Sequence, residues 1–268
     1  MALELAKDLE KHAPGTCLVI LTDQPKAFSH QKNILAFYHR QQGIGCYHDK
    51  RFAIAKGLSL FDTCIFIDAD MRVLESLPPE MSWTTAPGLT ARSCHTMSKH
   101  YAPIQAGTAS EKLIKEFQVT QAAAQKLGLS LEDPEVKFVY EFLLCITKDS
   151  GKEIDFLEWW ERLARYFELM GIYDGEGNAI GLAAAKAGMT ARWGEMNGIN
   201  FFMDRTERTR IRNGQSDPEK MAIYFETQNL LKYPRRSLPE KIVVKLIQKI
   251  GEFYRLVRLQ FFASSKLD

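Results

Sequence analysis

Two aspartates one residue apart, Asp68 and Asp70, stand at the end of the apolar run Cys64-Ile65-Phe66-Ile67 and carry the clearest chemical signal in the chain. Side chains two apart in extended backbone point the same way, so both carboxylates can converge on one cation. Oxygen-only ligation suits a hard ion such as Mg²⁺ or Mn²⁺. Such an ion can clamp a diphosphate and stabilise the charge that develops as it leaves. The plainer alternative is a pair of acids that closes a strand and begins a turn, a place Asp favours on its own account.

Two further groups could serve the same chemistry. Arg51 and Lys56 lie on a helical pattern just upstream, and a guanidinium fork and an ammonium point charge both suit phosphate oxygens. Their alternative is a solvated helix face. Glu176 lies between glycines in Asp174-Gly175-Glu176-Gly177-Asn178, at the expected start of a helix. The helix dipole there favours an ionised carboxylate, and the glycines permit close approach of a ligand or another backbone. Its alternative is an ordinary first-turn acid.

These residues need elements to hold them. Leu3, Leu5, Ala6 and Leu9 predict a helix over Ala2–His12, ended by Pro14 and Gly15. Cys17–Leu21 and Thr63–Ile67 read as buried strands, and Lys50–Leu60 as the helix between them. Pro78, Pro79, Pro87 and Gly88 make Leu74 to Gly107 read as loops and short strands. A helix is expected from about Ser110 to Leu127, a strand over Phe138–Thr147, and an amphipathic helix over Ile154–Met170. A slim helix follows to Ala187, then a strand at Ile199–Met203 and a charged loop over Asp204–Asp217. Helices around Lys220–Leu231 and Pro239–Phe262 close the chain. Alternating strand and helix in the first half imply an α/β fold, a Rossmann-type, mostly parallel sheet flanked by helices, with C-terminal helices.

Composition excludes several classes. A net charge of +2 nominates neither nucleic acid nor another polyanion as partner. Five scattered cysteines without a C-x-x-C pair argue against a zinc knuckle or disulfide framework and suit a reducing, cytoplasmic setting. No apolar run approaches the roughly 18 residues that span a bilayer, so a soluble protein, or one peripheral to a membrane, is expected.

The order Lys50-Arg51-Phe52, Lys56-Gly57-Leu58, Ile65-Phe66-Ile67-Asp68-Ala69-Asp70 resembles glycosyltransferases of the GT-A type, the glycogenin-like group among them. The likeness covers about the first 90 residues well and the remainder loosely. It implies a donor half over residues 1–90, an acceptor half over 91–205 and a helical extension over 206–268. It further implies that Asp68 and Asp70 hold Mn²⁺ or Mg²⁺ and that Arg51 and Lys56 face the diphosphate or sugar. Asp23, after Thr22, is similar to part of the family's nucleotide-base pocket. Glu176, with Asp174 as the fallback, is similar to the family's acceptor-side acid. That acid would deprotonate the acceptor hydroxyl, or would shield or attack the anomeric carbon. The activity implied is transfer of a sugar from a nucleotide-sugar donor, UDP-linked, to a hydroxyl of a glycan, lipid or protein.

Two features depart from the family. It usually opens on a strand, where this sequence opens on the first helix. It also draws a late histidine to the metal, whereas the last histidine here is His100, which leaves Asn197, Asn200 or water for that place. The alternatives are a catalytically silent scaffold on such a fold and a haloacid-dehalogenase-like phosphotransferase. The latter expects Thr or Val where this chain has Arg72. Trp193 is the candidate sugar-stacking platform, because one of the adjacent Trp159 and Trp160 must be core. The stripe Val243, Leu246, Ile247, Ile250, Phe253, Val257 and Phe261, opposed by basic residues over 241–262, fits docking on the domain or a partner subunit, or contact with an anionic membrane.

Overall fold

Hydrophobic periodicity places most elements where the sequence predicts them, and the computed structural model, which describes residues 1–234 and 236–262, gives their order. It runs α1 (Ala2–His12), β1 (Leu18–Thr22), β2 (Ile34–Tyr38), α2 (Lys50–Leu58), β3 (Thr63–Ile67), β4 (Arg72–Val73) and β5 (Gly88–Thr96). Two short helices, α3 (Met97–His100) and α4 (Ala102–Gln105), lead to α5 (Glu111–Leu127), β6 (Lys137–Thr147), α6 (Lys152–Leu169) and α7 (Glu176–Lys186). The remainder is β7 (Ala191–Trp193), β8 (Phe201–Phe202), α8 (Asp204–Arg212), α9 (Pro218–Lys232) and α10 (Leu238–Phe262). Arg235 and residues 263–268, which fall within the anticipated 206–268 extension, lie outside the described residues.

The fold is α/β with mixed sheets. β1 and β2 pair in parallel, Leu18 opposite Ile34 through Thr22 opposite Tyr38. The larger sheet has the order β3-β6-β5-β7, with β5 antiparallel to β6 and parallel to β7. β4 and β8 form a short antiparallel pair. A mostly parallel arrangement therefore describes β1–β2 and β5–β7 but not β5–β6 or β4–β8.

By its contacts the chain divides into two compact units, along different lines from a boundary at residue 205. One unit gathers Met1–His39, Ile67–Met81 and Asn197–Gln248; the other gathers Arg40–Phe66, Ser82–Met196 and the chain from Lys249 onward. In the first unit, Leu5 and Leu9 of α1 are one turn apart and join Ala13 and Val73 in a small core. Asp8, on the same helix, takes the Arg72 fork at 2.6 and 2.8 Å and also accepts the Val73 amide. That bidentate pair fixes the direction in which the chain leaves the Asp68–Asp70 turn.

In the second unit Phe156, Trp160, Leu163 and Phe167 recur at helical spacing and are fully buried. They form one core with Val139, Leu144 and Ile146 of β6 and with Ala179, Ile180, Leu182, Ala183 and Ala184 of α7. Helix α5 starts on the Ser110 hydroxyl, which accepts the Leu113 amide, and stops at Gly128 in the left-handed region.

Two expectations are corrected, and one strand is added. Leu74–Gly107 contains a nine-residue strand, β5, central in its sheet; its Thr90, Ser93 and His95 hide the apolar pattern. The charged stretch from Asp204 begins with helix α8 rather than a loop. That helix is held by the Asp204–Arg208 pair and by the buried carboxylate of Glu207, which takes Arg210 and Ser216. Polar contacts there replace the apolar stripe that sequence reading requires. Strand β2, Ile34–Tyr38, which the sequence reading passes over, is an apolar run as long as that of β1.

Candidate functional site

Strand β3 ends at Ile67, and the Asp68 carbonyl accepts the Met71 amide at 2.9 Å, which closes a tight turn. Met71 and Val73, both buried, anchor its far side. Asp68 and Asp70 are half-buried on this turn. Helix α9 brings two side chains to Asp70. Gln228 donates its amide to the Asp70 carbonyl and to Oδ2, each at 3.3 Å, and the Lys232 ammonium lies 3.5 Å from Oδ2. Gln228 is only 6% exposed, yet its Oε1 has no hydrogen-bond partner. A buried amide oxygen without a donor is costly, so it needs a reason. Asp23 belongs to the same unit and is exposed just past β1, where the Thr22 hydroxyl accepts the Gln24 amide.

Arg51 and Lys56 sit in the second unit, on α2. Five residues apart on a helix is about 140° around its axis, so they do not share a face. Arg51 is buried, donates to the His48 carbonyl at 2.7 Å and lies over the Phe52 ring. It lines a cavity of about 130 Å³ with Arg165, Arg255, Arg258, Glu161 and Glu168. Burial pushes the Glu168 carboxyl up to about 7, against the Ile44 amide that it accepts at 2.8 Å. His48 beside it is pushed down to about 3 by burial and by the Arg51 charge, and its Nδ1 accepts the Trp160 indole.

Glu176 begins α7, as its sequence context predicts, but its side chain turns inward and is 3% exposed. It lies 3.7 Å from Lys50, which also bonds Glu141 of β6 at 3.2 Å. Burial, then the Glu141 charge, raises Glu176 to about 8. Burial is the largest single influence on Glu141 too, but the Lys50 charge, the Glu176 hydrogen bond and a backbone hydrogen bond together outweigh it and hold that carboxyl below its ordinary range. The pair thus keeps one proton and one charge beside a single ammonium. Asp174 is exposed and pairs with Lys112.

A pH dependence follows. A carboxyl raised from 4.5 to about 8 on folding contributes stability that is complete below the lower value and is lost as pH climbs towards the upper. Glu176→Gln keeps a neutral, hydrogen-bonding side chain and removes that loss. Urea melts at about pH 5.5 and about pH 9 should show the variant gaining on the wild type by on the order of 1–3 kcal/mol at the higher pH. An identical pH profile in both proteins would refute the shared proton.

Trp193 is more than half exposed and lines a cavity of about 540 Å³ with His95, Lys99, Glu135, Lys137 and Arg192. Gln228, Lys232 and Glu141 escape sequence reading. Only Glu141 leaves a trace there, as a charge set inside the apolar run Phe138–Thr147. Among the described residues no group of three or more His, Cys, Asp or Glu is placed to hold a metal ion. The carboxylate oxygens at the turn are those of Asp68 and Asp70, and Gln228 meets Asp70 through its amide nitrogen. No family model, no curated protein and no solved structure matches the chain.

Proposed function

We propose that the chain is a metal-dependent glycosyltransferase of GT-A-like architecture, moving a sugar from a UDP-linked donor to a hydroxyl of a glycan, lipid or protein. The observation that carries this reading is the Asp68–Asp70 turn where β3 gives out, with the Gln228 amide nitrogen holding the Asp70 carbonyl and carboxylate. Ligands of open α/β sheets gather beyond the carboxyl ends of strands, which is where this turn lies.

The two aspartates fit a divalent ion: carboxylate oxygens are hard ligands, and Mg²⁺ or Mn²⁺ would complete its shell with water and phosphate oxygens. When bound, the ion supplies charge stabilisation to the departing diphosphate. The chain's own residues do the rest. Asp70 is fixed through its carbonyl and carboxylate by Gln228, and Lys232 stands ready as a point charge for a phosphate oxygen. In the second unit, the exposed Trp193 ring over its cavity suits stacking on an apolar sugar face.

Thermal shifts test the donor half directly. UDP with Mn²⁺ should raise the melting temperature where neither does so alone, and Asp70→Ala should erase that rise while leaving the unliganded melt near wild type. A nucleotide and nucleotide-sugar panel that produces no metal-dependent shift would defeat the reading.

A further inference from the structure

Helix α10 carries more exposed apolar surface than any other element needs to explain. Ile242, Leu246, Ile250 and Phe253 are each between 59% and 67% exposed, and Val243, Ile247, Tyr254 and Phe261 are exposed beside them. At 100° per residue these eight fall within about 140° of arc. A contiguous apolar face of this length on a water-facing helix marks an interaction site. The polar residues are not random either. Lys241, Lys245, Lys249, Arg255 and Arg258 occupy the flanks and back of the helix, against only Glu240 and Glu252.

We propose that α10 is an interfacial helix that seats this chain on an anionic lipid surface. A broad apolar face flanked by Lys249 and Arg258, with Lys245 behind, buries its side chains at the acyl boundary, while the long basic stems reach up to phosphate headgroups. The helix lies in the plane of the leaflet; no helix among the described residues is long and apolar enough to cross a membrane. A second copy of the chain is the less fitting occupant. Self-pairing would bring together two helices of the same net charge, each with five basic residues against two acidic ones, and like charges repel. An anionic leaflet instead meets both flanks with opposite charge.

Flotation of the full chain with vesicles decides the matter, without nucleotide or metal, so that it does not depend on the donor site. The wild type should float with phosphatidylcholine vesicles that contain phosphatidylserine, not with phosphatidylcholine alone, and should be released by raised salt. A Lys241→Gln, Lys245→Gln, Lys249→Gln variant should lose partitioning on the order of 100-fold, since each basic residue near the surface contributes about fivefold. Leu246→Asp with Phe253→Asp should abolish it with the helical circular dichroism intact. Asp70→Ala should float like the wild type. No flotation with the anionic vesicles, or equal flotation of the lysine variant, overturns the proposal. So does a dimer in sedimentation velocity that Leu246→Asp with Phe253→Asp disperses while vesicles capture nothing, which would hand the face to a second copy.

Discussion

Gly181→Ala should cost this protein about 3 kcal/mol or more, lowering its melting temperature by roughly 6–12 °C for a chain of this size. The ordinary expectation for glycine to alanine inside a helix is the reverse, a gain of up to about 1 kcal/mol from backbone propensity. Here α7 is pressed onto β6 so closely that an added methyl would overlap the Lys137 carbonyl oxygen, with the Met97 side chain closing the other side. That neighbour is backbone in a strand and cannot swing aside. Gly177, one turn earlier, repeats the situation: its methyl would come within 2.7 Å of both the Val139 carbonyl and the Phe138 ring. Gly251 in α10 is the control, since only the flexible Arg255 side chain lies near it. Gly251→Ala should be neutral or stabilising. Should calorimetry find both variants shifted alike, propensity rather than the α7–β6 contact governs these sites, and the account of that interface is wrong.

Under the proposed function, Asp70→Asn should reduce sugar transfer by roughly 1000-fold or more, the several kcal/mol that a clamped divalent ion would supply to a departing diphosphate. The substitution preserves shape and keeps an oxygen for Gln228, so folding should be nearly unchanged. It removes one negative charge from the pair and with it most of the attraction for a doubly charged ion. Lys232→Met makes the complementary measurement. Its ammonium lies 3.5 Å from Asp70 Oδ2, so it competes with a metal for that oxygen. If Lys232 acts only as a competitor, Mn²⁺ should bind the variant more tightly. If it meets the donor's phosphates, UDP affinity should fall even as Mn²⁺ affinity rises. Transfer rates in Asp70→Asn equal to the wild type would remove the turn from the chemistry altogether.

The legible part of the molecule is the part with one-dimensional patterns. β3 and its acidic turn, the apolar stripe of α6 and the small-residue helix α7 each announce themselves within a dozen residues. β5 does not, because a strand central in a sheet can carry Thr90, Ser93 and His95 once neighbouring strands satisfy its backbone. Nor does α8, whose order comes from ion pairs and not from an apolar face. Around the candidate site the two aspartates are local and readable. Gln228 and Lys232 approach Asp70 from about 160 residues further along the chain, and nothing near them in sequence announces it. Arg51 was readable as a basic helix residue, but its burial beside Glu168 depends on packing between α2 and α6, which periodicity cannot give.

The way the chain threads between its two units has a consequence for its birth on the ribosome. Neither unit is a continuous stretch: the first closes only with residues up to Gln248, the second only with residues after Lys249. Helix α1 shares its unit with Asn197–Gln248, made much later, so the nascent chain carries it through a long stretch of synthesis without those partners. Such long-range closure is slow and leaves apolar surface uncovered meanwhile. A nascent chain halted before Pro218 holds neither unit whole, and chaperone capture is the fate to expect of it.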